Sequence, residues 1–234
     1  MHRHKYPRTP HLPWSPGATS DDVYLLDTKA FVGREVVCLE KMDGENTTVY
    51  ADGYTHARSI DSANHPSRTR MRAVAAGVGA QGLPEALRVC GENLTALHSL
   101  WYDRLPGIFV VFGMLEGDVA LSWDEVSDWA SLLDLPTAPV LYRGPWDEAA
   151  VRACMTGTSR FQSSEAEARQ TWDSCGHPAS RFAVGQEGYV VRLAGRFAQT
   201  DFGTSVAKFV RPGHVQTDAH WISQAMIPNR ILGA

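Results

Sequence analysis

The sequence is poor in the features that define several protein classes. It has no basic excess: 22 Lys and Arg stand against 26 Asp and Glu, a formal net charge of −4, with a pI near 6.1. Phosphate contacts are made by Lys and Arg, so a protein that coats nucleic acid over a broad surface is not indicated. A local basic groove is still available, because Arg58, Arg68, Arg70 and Arg72 lie close together and Lys208 and Arg211 follow. The four cysteines, Cys38, Cys90, Cys154 and Cys175, are scattered. Without a C-x-x-C pair they offer neither a zinc knuckle nor a dithiol centre, and they read as free thiols. No apolar run reaches the roughly 18 residues of a membrane span, and the N-terminus lacks the apolar segment of a secretory signal. A cytoplasmic protein with no membrane partner is expected. No internal repeat is present either. What remains is a chain of 234 residues, 44% hydrophobic with seven tryptophans, enough to bury a sizeable core in one large domain.

Residues 5–20 carry four prolines and one glycine, a composition for an extended arm rather than a helix or central strand. The expected division is a proline-containing arm, residues 1–33, packed on a core of residues 34–234. Arg34 to Glu40 reads as a strand ending at Lys41. Across an Asp43-Gly44 turn signal, residues 46–51 read as its antiparallel hairpin partner. Residues 65–82 predict a short helix and a loop. Leu87–Leu94 and Ile108–Glu116 predict buried strands, with a surface turn or helix between them. Ser122 and Glu125 have the spacing of a capping box before the helical repeat of Val126, Trp129, Ala130 and Leu133. A strand at Pro139–Tyr142, helices at Trp146–Met155 and Ser164–Trp172, a loop at 173–185 and a strand at Gly188–Leu193 complete the reading. Antiparallel strands with helices inserted between them imply an α+β fold.

The chemistry centres on Lys41-Met-Asp-Gly44. A lysine amine is a strong nucleophile only when neutral, whereas its reference pKa of about 10.4 leaves it protonated. A site that uses Lys41 is expected to lower that pKa with nearby cations such as Lys208, Arg211 and a magnesium ion. The tetrapeptide alone is common. Its company is not: Glu40-Lys41-Met-Asp43-Gly44 is followed by Arg58-Ser59, Gly91-Glu92-Asn-Leu94, Phe109-Val-Val-Phe112, Glu187-Gly-Tyr-Val-Val-Arg192 and Ala207-Lys208-Phe-Val-Arg211. In that order these segments resemble the successive motifs of the ATP-dependent RNA ligases, covalent nucleotidyltransferases related to DNA ligases and capping enzymes. The resemblance spans about residues 34–214.

The resemblance implies a nucleotidyltransferase (adenylation) domain of antiparallel sheets flanked by helices, with ATP and Mg²⁺ or Mn²⁺ as cofactors. It implies Lys41 as the lysine that becomes adenylated and Glu40 and Arg58 as nucleotide-site residues, Arg58 on the phosphate side. Glu92 resembles the acceptor for the ribose hydroxyls and Phe112 the ring that stacks on adenine. Glu187 resembles the metal-coordinating carboxylate and Lys208 the phosphate-binding lysine. The last motif departs from the family, which often has two lysines one residue apart: Val210 stands at the second place, and Arg211 is the candidate substitute. On a regular strand Lys208 and Arg211 point to opposite faces, so that substitution requires a twist or bulge near Pro212. Too few residues follow Arg211 for the OB domain of DNA ligases and capping enzymes, which favours the RNA-ligase reading. RNA ends are the expected partner, with an end-processing kinase or phosphatase, or an accessory RNA-binding protein, as further candidates. The alternatives are a DNA ligase or capping-type enzyme, or a non-catalytic RNA-binding adaptor that keeps the fold. His214 and His220 lack the spacing of metal ligands, and His11 and Trp14 are taken as arm residues outside the site.

Overall fold

Two antiparallel sheets face each other, and the chain passes between them at the Lys41 motif. The structure is a computed structural model that describes residues 2–60, 65–213 and 225–233; His214 and His220 lie outside them. In chain order the elements are β1 (Glu35–Lys41), β2 (Glu45–Tyr50), β3 (Thr55–Ala57), α1 (Ser67–Ala80), β4 (Leu87–Asn93), β5 (Phe109–Glu116), β6 (Val119–Ala120) and α2 (Trp123–Leu132). They continue with β7 (Val140–Pro145), α3 (Glu148–Arg152), α4 (Glu165–Ser174), β8 (Gly188–Leu193), β9 (Phe197–Ala198), α5 (Phe202–Ser205) and β10 (Val206–Val210). One sheet has the order β10-β8-β1-β7, the other β3-β2-β4-β5-β6-β9. Antiparallel sheets with helices inserted between strands make this an α+β fold.

The hairpin expected from Asp43-Gly44 does not form. β1 pairs with β7 and β8, whereas β2 pairs with β3 and β4. The reason lies in the turn itself. The Asp43 carboxylate accepts hydrogen bonds from the Ser99 N–H (2.8 Å), the Ser99 hydroxyl (2.7 Å) and the Leu100 N–H (2.7 Å). The Asp43 N–H in turn donates to the Tyr102 hydroxyl at 2.9 Å. Charge-assisted bonds of this kind outweigh a local hairpin preference, so the turn is pulled onto the 99–102 loop and the chain changes sheet. Gly44 is required there, because a Cβ would fall 2.6 Å from the Asn93 carbonyl oxygen.

That loop is also no surface feature: Leu97, Leu100, Trp101, Tyr102 and Leu105 are all buried. Its apolar residues follow neither a helical nor a strand period, which is why the pattern hid the burial. Trp101 meets Trp172 of α4 edge-to-face at 5.1 Å, joining loop and helix in a separate small core. Other differences are of extent. α1 is a full 14-residue helix, and the helix expected over Trp146–Met155 shrinks to α3, five residues capped by Asp147. The Ser122 and Ser164 capping boxes both form. Cys38, Cys90 and Cys154 are buried free thiols and Cys175 is exposed.

The arm is tied to the edge of the four-stranded sheet. The Lys208 N–H donates to the Pro10 carbonyl (2.9 Å), Leu12 N–H to the Lys208 carbonyl (2.8 Å) and Gly17 N–H to the Val210 carbonyl (2.9 Å). Trp14 donates its indole N–H to the Tyr189 hydroxyl at 2.9 Å and is covered by the Arg152 guanidinium. No helix among the described residues is long and apolar enough to cross a membrane.

Candidate active site

The cleft between the sheets holds a cavity of about 1080 Å³ including its mouth. Lys41, Val190, Arg192 and Lys208 line it from the four-stranded sheet; Asn46, Glu92 and Phe112 to Leu115 line it from the other, and Arg58 follows β3. Lys41 ends β1 opposite Gly188 of β8. This register puts Glu187 beside the lysine, and Nζ donates to Glu187 Oε1 at 2.6 Å. Gly188 lets the strands close at this point, since a Cβ would sit 1.9 Å from the Phe209 carbonyl oxygen. The Glu-Gly pair therefore has one physical purpose: the glycine admits β10, and the glutamate reaches the lysine.

The electrostatics differ from the expectation for Lys41. Burial favours the neutral amine, yet Glu187, Glu92 and Asp43 together outweigh it and hold the Lys41 pKa above the ordinary value. With Glu187 only 1% exposed, the pair is a half-buried ion pair and Lys41 rests as an ammonium. Lys208 behaves oppositely. Burial, and then the charge of Lys41, push its pKa down, and its nearest carboxylate, Asp22 of the arm, is 3.6 Å away. Glu92 is pushed up to about 8, chiefly by burial and then by Glu187 and Asp43 against the pull of Lys41. Its Oε1 accepts the Gly44 N–H at 3.2 Å.

Lys41, Glu92, Phe112, Arg58, Lys208 and Glu40 thus share the cavity, with Glu187 behind Lys41. Glu40 is buried with its Oε2 accepting the Arg160 N–H at 3.0 Å, and burial raises its pKa. Arg211 is the exception. The regular β10–β8 pairing ends at Val210, and Arg211, one residue beyond it, is not among the residues lining the cavity. Val210 is itself buried, its N–H donating to the Ser15 hydroxyl at 2.9 Å.

Some lining residues were not anticipated. Asn46, five positions after Lys41, lines the cavity with a buried Oδ1 that has no protein partner. Arg192 also lines it and is buried; a lone arginine inside the apolar run Gly188–Leu193 is the signal that could have found it. Tyr6, Pro7 and Thr9 also line the cavity, and no periodicity in the arm announces them.

Residues 34–210 match the RNA ligase family model. The chain belongs to the RNA ligase family. Two solved structures of an RNA ligase agree with it in fold, and a third structure is similar. A Naegleria gruberi RNA ligase with PPi is 17% identical, with a TM-score of 0.50 over 78% of this chain and 51% of that one. An apo point mutant of the same ligase gives 16% and 0.50 over the same shares. An archaeal ATP-dependent RNA ligase is 17% identical, with a TM-score of 0.48 over 89% of this chain and 48% of that one. This RNA ligase family member therefore spans about half the length of the solved ligases it matches. No curated protein matches it by sequence.

Proposed function

We propose that the chain is an ATP-dependent RNA ligase that joins a 5′-phosphate to a 3′-hydroxyl through a lysyl-adenylate and an adenylated RNA. The observation that carries the reading is the convergence of Lys41, Glu92, Phe112 and Lys208 on one cavity, with Glu187 bonded to Lys41 from behind it. In the first step Nζ of Lys41 attacks the α-phosphorus of ATP. A P–N bond forms, the bond to the bridging oxygen breaks, and pyrophosphate leaves. The proton that Lys41 must lose has an acceptor in place, Glu187 Oε1 at 2.6 Å. Lys208 and Arg58 supply positive charge beside the phosphates, and Phe112 offers a flat apolar face to the base. The adenylate then passes to an RNA 5′-phosphate oxygen, and attack by the 3′-hydroxyl on that phosphorus expels AMP. Catalysis of this kind is positioning and charge stabilisation, which suits a site of Lys, Arg and Glu.

The donor set also suits a divalent ion of a particular kind. Among the described residues no cluster of three or more His, Cys, Asp or Glu could cage one. Mg²⁺ and similar ions bind instead through one or two carboxylates plus substrate phosphates, and Glu187 is the carboxylate beside the reacting lysine. When bound there, the ion would offset charge on the phosphates and lessen the hold of Glu187 on Lys41.

Intact-mass analysis after incubation with ATP and Mg²⁺ or Mn²⁺ tests the proposal. One AMP should add to the wild-type chain and none to Lys41→Ala, acid should release it and alkali spare it. GTP should label poorly, which separates this reading from a capping enzyme. An adduct that persists in Lys41→Ala would sink it. The sealed 3′-hydroxyl end should need RNA at the junction, because the ribose 2′-hydroxyl is what distinguishes the polymers; equal sealing of all-DNA ends would point to a DNA ligase.

A further inference from the structure

The arm crosses the cavity as a strap fixed at both ends. At one end the Arg3 guanidinium lies 4.5 Å from the Tyr50 ring centre and 4.2 Å from that of Tyr54. Arg3 also pairs with Asp52, and the His4 N–H donates to the Tyr50 hydroxyl at 2.9 Å. These anchors lie on β2 and its turn into β3, in the six-stranded sheet. The other anchor is the backbone ladder between Pro10, Leu12 and Lys208 on β10, in the four-stranded sheet. Between the anchors, Tyr6, Pro7 and Thr9 face the cavity.

Tyr6 stands at the centre of this segment. Its ring meets Phe112 edge-on, with centres 5.3 Å apart and planes at 74°, and meets Phe202 at 5.4 Å and 87°. Phe112 and Tyr6 thereby form an apolar corner of the cavity. Packed tyrosines ordinarily find a partner for their hydroxyl. The Tyr6 hydroxyl has no hydrogen bond to another described residue, while the ring lines the cavity. A polar atom left without a protein partner at a ligand cavity is suited to a ligand's hydrogen bond.

We propose that Tyr6 is a nucleotide-contacting residue, whose ring walls the base pocket against Phe112 and whose hydroxyl hydrogen-bonds the purine nucleotide. This rests on the ATP reading above. It extends the nucleotide site into the arm and makes occupancy of the cavity depend on the strap being docked.

The test measures AMP-adduct formation by intact mass as a function of ATP concentration in the full chain, its Tyr6→Phe and Tyr6→Ala variants, and Arg3→Ala. Loss of one hydrogen bond should raise the ATP concentration for half-maximal adduct about 2- to 10-fold in Tyr6→Phe. Tyr6→Ala loses the wall as well and should exceed that. Arg3→Ala, which loosens an anchor outside the cavity, should shift it in the same direction by less than Tyr6→Ala. In parallel, hydrogen exchange of the wild-type chain with ATP in EDTA, where no adduct forms, should show slowed amides between residues 4 and 9. If wild-type protein forms no adduct at all, the ATP reading fails and this proposal with it. An adduct whose ATP dependence is the same in Tyr6→Phe as in wild type overturns the Tyr6 contact alone. A lowered ATP requirement in Tyr6→Ala would mean that the ring occupies the space of the base, and would also overturn it. Should Tyr6→Ala fail to fold, Tyr6→Phe and the exchange pattern decide.

Discussion

The two lysines of the cavity, Lys41 and Lys208, are shifted in opposite directions. At the β1 end Lys41 is surrounded by carboxylates, with Glu187 at 2.6 Å, and its proton is retained more firmly than in water. At the β10 end Lys208 is half-buried beside Lys41 and Arg58, Asp22 and then Glu187 balance it only in part, and its proton is held less firmly. Coulomb energy at short range in a partly desolvated cleft is large enough to decide both cases. The contrast shows what the cleft lacks. On the proposed reading, a polyphosphate would satisfy the cations beside Lys208, whereas Lys41 already has its counter-charge in Glu187 and would have to give it up before its amine could react. The expectation that nearby cations lower the Lys41 pKa is opposed, in the protein without a metal ion, by the carboxylates of Glu187, Glu92 and Asp43.

The sharpest way to break this contrast is to remove the carboxylate. Glu187→Ala should cut adduct formation at least about 100-fold, the scale for losing one preorganised charge partner. Its melting temperature should fall as well, because an ion pair with a buried member is disrupted. Near-normal adduct formation in Glu187→Ala would remove Glu187 from the chemistry. Next in size, Lys208→Ala should slow adduct formation roughly 10- to 100-fold at low ATP without the same loss of stability, since its pairing with Asp22 is long. Lys208→Arg should restore part of the rate. If Lys208→Ala instead unfolds the protein, the lysine is held for structure and the contrast loses one side.

Glu92 sharpens the comparison from between the two ends. Its folded pKa of about 8 lies above the ordinary 4.5, mainly through burial. Between those values the folded protein keeps a proton that the unfolded chain has released, so stability falls as pH rises through the window. Glu92→Gln removes that slope. The variant should gain on wild type in melting temperature as pH is raised from about 5 to about 8.5, while its use of ATP weakens. Parallel melting curves across that range would show that Glu92 is not strained in the resting site.

The order of motifs named many of the residues that share the cavity because each motif is local: a lysine at a strand end, a glutamate before a glycine, a phenylalanine inside an apolar strand. The strands were legible as apolar runs bounded by Gly or Pro, and the Ser122 capping box by its S-x-x-E spacing. What could not be read were consequences of long-range pairing. Asp43-Gly44 has the composition of a hairpin turn, and only the hydrogen bonds from Ser99 and Leu100, more than fifty residues away, send it across to the other sheet. Arg211 is the candidate for the missing second lysine, yet it follows the last residue of β10 and is not among the residues that line the cavity. Tyr6 sits in an arm with no periodicity at all, and its position follows from anchors on Tyr50 and Lys208.

The last prediction concerns the arm beneath Lys208. His11 is fully buried; its Nδ1 and the Ser15 hydroxyl are hydrogen-bonded at 2.8 Å, and Nε2 is 3.5 Å from Asp22. Burial, and then the charge of Lys208, lower its pKa from 6.5 to about 4, against the opposing pull of Asp22. Below 6.5 the unfolded chain takes up a proton that the folded protein refuses until pH approaches 4. Stability from this group is therefore complete above 6.5 and is lost as pH falls through the window. Between about pH 7.5 and pH 5 the loss should be about 2 kcal/mol, as an order of magnitude. His11→Gln keeps a hydrogen-bonding group for Ser15 and removes the titration, so its stability should fall less steeply over that range in urea melts. Adduct formation at neutral pH should hardly change, because His11 is neutral there and does not line the cavity. An acid slope as steep in His11→Gln as in wild type would assign the sensitivity to other groups. A large loss of adduct at neutral pH would instead show that the arm transmits the state of His11 to Lys208, and the two lysine environments could no longer be treated as separate.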